Sequence, residues 1–321
     1  MTTKVSDLAI VPEVVANYVN TDIRKKSDFF LSGAVVDSNV VFPYRGDTVA
    51  VPSWGGLSGS ADVMGDTAPN TNSLDSSVQY GAILQRNKKW GIADVAKDMA
   101  GAESPLDALV SKVGTFWQRN LDANLVAQAR GSALGLQADV GSGFVNDISA
   151  AATTGAIITA QSIIATRGLF GEYMNDASIL VVHPAVYAKL QADQVTTLLP
   201  GADGKPIETF QGMQIVVSST LTTRSSGVYD TLIVRNGAFG FADATDMNKV
   251  LEFDREIGFA DSFATQKRWV LHPFGASIKK TAVFAGNTAT DAELATVANW
   301  ELAGNQYDYG VRMLVGKLVS N

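Results

Sequence analysis

Apolar residues recur along this chain at two spacings, one helical and one alternating, and the longest helical run stands out first. Ser104-Pro105-Leu106-Asp107 carries a capping serine, a proline in the first turn and an acidic residue three after the cap, which together mark a helix start. Leu106, Leu109, Val110, Val113, Phe116, Trp117, Leu121 and Leu125 then follow at helical spacing, and Arg130-Gly131 offers a basic last turn with a glycine stop. The pattern predicts a helix over 104–130, about 40 Å long. That is about twice the ordinary helix length, the mark of a structural spine.

Before this helix the pattern is extended. Thr48-Val49-Ala50-Val51-Pro52 reads as a short strand, followed by Gly55-Gly56, Gly59, Gly65 and the polar run Asp66-Thr67-Ala68-Pro69-Asn70-Thr71-Asn72-Ser73. A return strand is expected over 77–88, where Val78, Tyr80, Ala82 and Leu84 alternate with Gln79, Gly81, Ile83 and Gln85. Two strands around a long glycine-rich tip make an extended hairpin over 44–90, of a length that usually serves a function. Further upstream, Pro12 opens a short amphipathic helix with Val14, Val15, Tyr18, Val19 and Ile23 on one stripe. Such a helix is marginal alone and needs a surface to dock on.

The second half reads as mixed helix and strand. A helix is expected over 159–169, and the run Ala177-Ser178-Ile179-Leu180-Val181-Val182 is a buried strand. His183-Pro184 then opens a helix through Val186, Tyr187 and Leu190, and 201–206 is a loop. Further strands are expected at 213–217, 231–234, 250–253, 268–271 and 276–283.

Composition narrows the function. The 321 residues are 46% hydrophobic and 18% charged, with 29 glycines, a globular composition with many turns. Low charge suggests that partner subunits cover much of the surface, because interface cores are depleted of charged residues. The net charge of −7 argues against a general nucleic-acid reader. Local basic clusters at Arg24-Lys25-Lys26, Lys88-Lys89, Lys267-Arg268 and Lys279-Lys280 read as solvated faces or salt-bridge partners. The absence of cysteine excludes disulfide and thiolate chemistry. No signal peptide and no membrane-length apolar run is recognisable.

Catalytic signatures are missing. There is no phosphate loop and no dinucleotide fingerprint, and Gly56-Leu57-Ser58-Gly59-Ser60 has serine where a nucleophile elbow needs glycine. The two histidines, His183 and His272, each precede a proline, a context suited to ending a strand, and are too few for a zinc site. Glu252, Asp254 and Glu256 share one face if extended, but Phe253, Arg255 and Ile257 between them favour an outward polar face. Trp54, Trp90, Trp117, Trp269 and Trp300 are scattered, which favours packing over base stacking. No catalytic residue, cofactor or metal is expected.

The order of these pieces resembles one family, the tailed-bacteriophage major capsid proteins of the Hong Kong 97 type. Val51-Pro52-Ser53-Trp54 with Gly65-Asp66-Thr67-Ala68 resembles that family's extended loop. Lys89-Trp90-Gly91-Ile92-Ala93-Asp94 and Met99-Ala100-Gly101 precede the spine helix as in many members, and the phrase from Ile179 to Leu190 is similar to the axial domain. Phe253-Asp254-Arg255-Glu256, with Arg268-Trp269, resembles the closing peripheral strands. The resemblance implies an α+β fold: an N-terminal arm over 1–43, an extended loop over 44–90 and a peripheral domain with the spine helix over 91–145. An axial domain over 146–235 and a return to the peripheral domain with C-terminal strands over 236–321 complete it.

It further implies a non-enzymatic subunit that forms pentamers and hexamers of an icosahedral virion shell, assembled in the host bacterial cytoplasm. Expected partners are other copies, a separate scaffolding protein (the short stretch before the arm leaves no room for a fused one), a portal, decoration proteins, and double-stranded DNA held weakly. No membrane partner is expected. Subunit contacts are expected at Trp54, Gly55, Gly56, Met64, Asp66, Lys88, Lys89, Arg24, Lys25 and Lys26. The alternatives are a bacterial nanocompartment shell protein of the same fold and a divergent α/β enzyme.

Overall fold

The computed structural model describes residues 27–38, 48–54, 64, 76–93, 105–151, 153–200, 206–221, 223–224, 227–243, 252–254 and 260–318. The helix expected from Pro12, and the hairpin tip apart from Met64, lie outside the described residues.

In chain order the first elements are α1 (Asp28–Leu31), β1 (Val35–Asp37), β2 (Thr48–Trp54), β3 (Ser76–Ala93) and α2 (Pro105–Val140). The middle of the chain gives β4 (Val145–Asp147), α3 (Ala160–Gly168), β5 (Ala177–Val182), α4 (Pro184–Ala192), β6 (Thr197–Pro200), β7 (Pro206–Phe210) and β8 (Met213–Val217). Next come β9 (Thr223–Arg224), β10 (Val228–Arg235), β11 (Phe239–Asp243), β12 (Glu252–Asp254) and β13 (Ala260–Pro273). The last are β14 (Ala276–Ile278), α5 (Asp291–Leu294), β15 (Trp300–Leu302) and β16 (Val311–Lys317).

Two sheets carry the fold. One is six-stranded in the order β1-β11-β13-β3-β2, with β12 also on β13. The other is eight-stranded in the order β4-β16-β10-β5-β8-β7-β6, with β9 on β10. β5 alternates between two cores: Ile179 and Val181 enter the one shared with α2, Leu180 and Val182 the one under α3 and α4. A strand covered on both faces reads as a continuous apolar run, which is why this one was legible. His183 caps α4 as expected from its place before Pro184, its Nδ1 accepting from Ala185 N at 3.1 Å. Thr159 caps α3 with a reciprocal bond to Ser162.

α2 spans 36 residues, or about 54 Å at 1.5 Å per residue. Val113, Trp117, Leu121, Leu125, Ala129, Ala133 and Leu136 bury one stripe against both sheets. The expected stop at Gly131 is wrong: the helix continues to Val140. Gly131 and Gly135 are contact glycines instead. A Cβ at Gly131 would lie 2.0 Å from Leu294 O, and one at Gly135 would lie 2.6 Å from Trp300 Cβ. α5 and β15 therefore rest on bare helix backbone, and Trp300 Nε1 donates to Leu294 O at 2.7 Å across that seam.

One further expectation changes, and two features went unread. The strand expected over 276–283 ends at Ile278, where β14 pairs with β15, and turns follow. In β3 both alternating sets contribute buried residues, Ala82 and Leu84 from one and Gln79 and Ile83 from the other, while Val78 is exposed. Gln79 is held there by polar bonds, described below. Finally, β16, for which no local pattern was read, lies between β4 and β10 and pairs with β10 from Val311 to Lys317.

Candidate functional site

The β2–β3 hairpin and its root form the most distinctive surface. β3 changes partner midway. Residues Ser76 to Ala82 pair with β2, and Ile83 to Ala93 pair with β13. The outer half is thus a narrow ribbon whose small cluster of Val49, Ile83 and Val270, with Val51 against it, is separate from the main core. Two polar contacts fasten it to the body: Tyr80 N donates to Ser277 Oγ at 3.0 Å, and Gln79 Oε1 lies 2.9 Å from His272 Nε2. The same Gln79 oxygen accepts from Gly275 N at 3.2 Å. Lys280 Nζ sits 4.9 Å from the Tyr80 ring centroid.

His272 lies one residue inside the end of β13, which runs on to Pro273, and the ring is buried with Nδ1 finding no hydrogen-bond partner among the described residues. Burial lowers its pKa to about 4, so the folded protein holds it neutral. The unfolded chain takes up the proton first, near the ordinary value of about 6.5. The stability that depends on neutral His272 is therefore complete above that value and is lost as pH falls from about 6.5 to about 4, by about 3 kcal/mol. Denaturant midpoints at neutral and acid pH measure this. His272→Gln should flatten the acid slope, and an unchanged slope in that variant would rule His272 out as its source.

At the base of the hairpin Arg86 is met by the turn before α5. Its Nη1 donates to Thr288 Oγ1 at 3.0 Å and its Nη2 to Ala289 O at 2.6 Å and Asp291 Oδ1 at 3.2 Å. Asn124 of α2 donates to the same Asp291 oxygen at 2.9 Å. A polar cleft of about 590 Å³, lined by Gln85, Asn87, Asn287 and Thr290 among others, opens beside this junction.

Deeper charges are structural. Asp230 on β10 is buried between Arg224, 2.9 Å away, and Arg130 of α2, 3.2 Å away. Burial pushes its carboxyl up, against the lowering pull of Arg224 and Arg130. Arg130 therefore does not close the helix as expected but ties it to the eight-stranded sheet. Arg312 is also buried, its guanidinium 4.9 Å from the Phe144 ring and 4.7 Å from the Phe170 ring. On the far edge of that sheet, Leu198 and Leu199 of β6 are exposed. Behind them Tyr187 donates to Glu208, tying α4 to β7, and burial with the Glu208 contact pushes the phenol to about 12.

The expected contact residues fare unevenly. Lys88 and Lys89 are exposed on β3, opposite Thr265 and Ala264 of β13, and Met64 is exposed. Trp54 ends β2, where only its backbone is described. Gly55, Gly56, Asp66, Arg24, Lys25 and Lys26 lie outside the described residues. Sequence reading missed Arg86, whose sole signal was a cation inside an otherwise polar stretch of strand. Among the described residues no cluster of His, Asp or Glu could hold a metal, and no helix is long and apolar enough to cross a membrane.

Comparison with known proteins finds similarity to viral shell proteins. No family model matches the chain. The major capsid protein of Bacillus phage SPP1 is 25% identical over 316 residues, covering 93% of each chain. The fold matches the capsid of Ralstonia phage GP4 with a TM-score of 0.59 at 13% identity, over 99% of this chain and 95% of that one. A chain of Microbacterium phage Oxtober96 matches with a TM-score of 0.53 at 13% identity, over 90% of both.

Proposed function

We propose that this chain is the major capsid protein of a tailed bacteriophage, the subunit from which the head shell is built. The observation that carries the reading is collinearity: the similarity to a phage major capsid protein runs through 93% of both chains. The shared fold of other phage capsids supports it independently. The relative is a structural protein, and the buried charges described above are used in packing and ion pairing, consistent with a subunit that builds and does not catalyse.

In this reading the copies form pentamers and hexamers of an icosahedral shell around double-stranded DNA, assembled in the bacterial cytoplasm. The six-stranded sheet with α2 serves as the peripheral domain and the eight-stranded sheet with α3 and α4 as the axial domain. The β2–β3 hairpin overlies a neighbouring subunit, with Lys88, Lys89 and Met64 among its contacts. A separate scaffolding protein, a portal and decoration proteins are the other expected partners, and the net charge of −7 keeps DNA contact weak.

Negative-stain microscopy of particles made by the expressed chain, with and without the neighbouring scaffolding gene, tests the reading: uniform closed shells are expected. Terminase and portal genes beside it would separate a phage head from a cargo-holding compartment. Deleting residues 55–73 is expected to leave a folded subunit that no longer closes shells. Normal shells from the deletion would remove the hairpin's role.

A further inference from the structure

We infer that the seam between α2 and α5 is a water-binding site, in which ordered water satisfies the side-chain amides of Asn124 and Gln128. The inference concerns the single subunit and does not depend on the shell-building reading. Asn124, Gln128, Gly131 and Gly135 each follow the last by three or four residues, so they share one stripe of α2. Two contacts place that stripe against α5: Asn124 Nδ2 donates to Asp291 Oδ1 at 2.9 Å, and the bare backbone of Gly131 carries Leu294 and Ala295. Gln128 lies between those contacts, so its side chain enters the seam.

Gln128 is 1% exposed and Asn124 fully buried, yet Gln128 Oε1, Gln128 Nε2 and Asn124 Oδ1 have no hydrogen-bond partner among the described residues. Each such atom carries its full desolvation penalty until something pairs with it. The groups facing them across the seam are engaged elsewhere. Asp291 Oδ1 also takes Arg86 Nη2, Leu294 O takes Trp300 Nε1 at 2.7 Å, and Glu293 O takes Asn299 Nδ2 at 2.9 Å. The pattern of donors and acceptors selects the ligand. One water accepts from Gln128 Nε2 and donates to Asn124 Oδ1 one turn away, while a second donates to Gln128 Oε1 and to the first. Turning the Gln128 amide over changes nothing, since both of its polar atoms are unmet. A neutral ligand is favoured, because a cation would face Arg86 and an anion would face Asp291, a pair 3.2 Å apart at the mouth of the seam. Access is short, because Asp291 also lines the polar cleft beside β3.

High-resolution structures of the wild-type chain and of Gln128→Met test the site, together with their denaturant midpoints. In the wild type, water density is expected within hydrogen-bond distance of Gln128 Nε2 and Asn124 Oδ1. Methionine matches the length of glutamine without its polar atoms, so the variant should lose the water contacts at 128 and leave Asn124 Oδ1 poorly paired. Its unfolding equilibrium constant is then expected to rise about tenfold. A dry seam predicts the opposite sign, since methionine would remove two unpaired atoms and stabilise the fold. A wild-type seam without water, or a variant as stable as wild type or more so, would overturn the inference. If Gln128→Met does not fold, the wild-type density decides by itself.

Discussion

Gly131→Ala is expected to destabilise the subunit by about 3 kcal/mol, although alanine in a helix ordinarily gains about 1 kcal/mol over glycine. The new methyl would sit 2.0 Å from the Leu294 carbonyl oxygen, 2.8 Å from Trp300 Nε1 and 2.9 Å from Ala295 Cα. Two of those are backbone atoms, so no rotamer change relieves the clash. α5 must move off α2, which also breaks the buried bond from Trp300 to Leu294 O. Equilibrium denaturation of the subunit reads the effect. A variant as stable as wild type would mean that α5 does not rest on the helix as described.

Replacing Arg312 is expected to cost at least as much, about 4 kcal/mol for Arg312→Ala. The guanidinium donates to the carbonyls of Gln306, Tyr309 and Val311, each at 3.0 Å, and lies against Phe144 and Phe170, which belong to different cores. Burial lowers its pKa to about 10, so it stays charged at neutral pH. Truncation leaves buried carbonyls unpaired and a void between the rings. Arg312→Lys should regain only part of the loss, because an ammonium cannot stack flat on the rings or reach the same carbonyls together. Denaturant unfolding of the variants measures both, and a lysine variant equal to wild type would remove the argument from planarity.

Arg312 and Gly131 also mark where sequence reading stops. Gly131 after a basic residue looks like a helix end, and Arg312 drew no reading at all. The glycine reading follows from local chemistry and is reversed by distant Leu294 and Trp300, while the buried place of Arg312 is set by distant Phe144 and Phe170. Gln79 is buried beside an exposed Val78 for the same reason. A glutamine enters the interior because His272 and Gly275, nearly two hundred residues away, satisfy it there. The Arg86 junction was invisible for the same cause, since its acceptors lie on a turn known only once the chain is folded.

What the sequence determined by itself was everything set by short-range geometry. The start of α2 at Pro105, the strand β5 and the helix opened by Pro184 follow from caps, prolines and apolar periodicity within a few residues. The extended hairpin before the spine, and the resemblance to phage shells, were legible as an order of such pieces. Tertiary structure alone decided how far α2 runs, which residues of β3 are buried, and that β16 enters the eight-stranded sheet. It also decided where the hairpin is held. Those outcomes depend on desolvation and on contact between distant backbones, energies that no local pattern encodes.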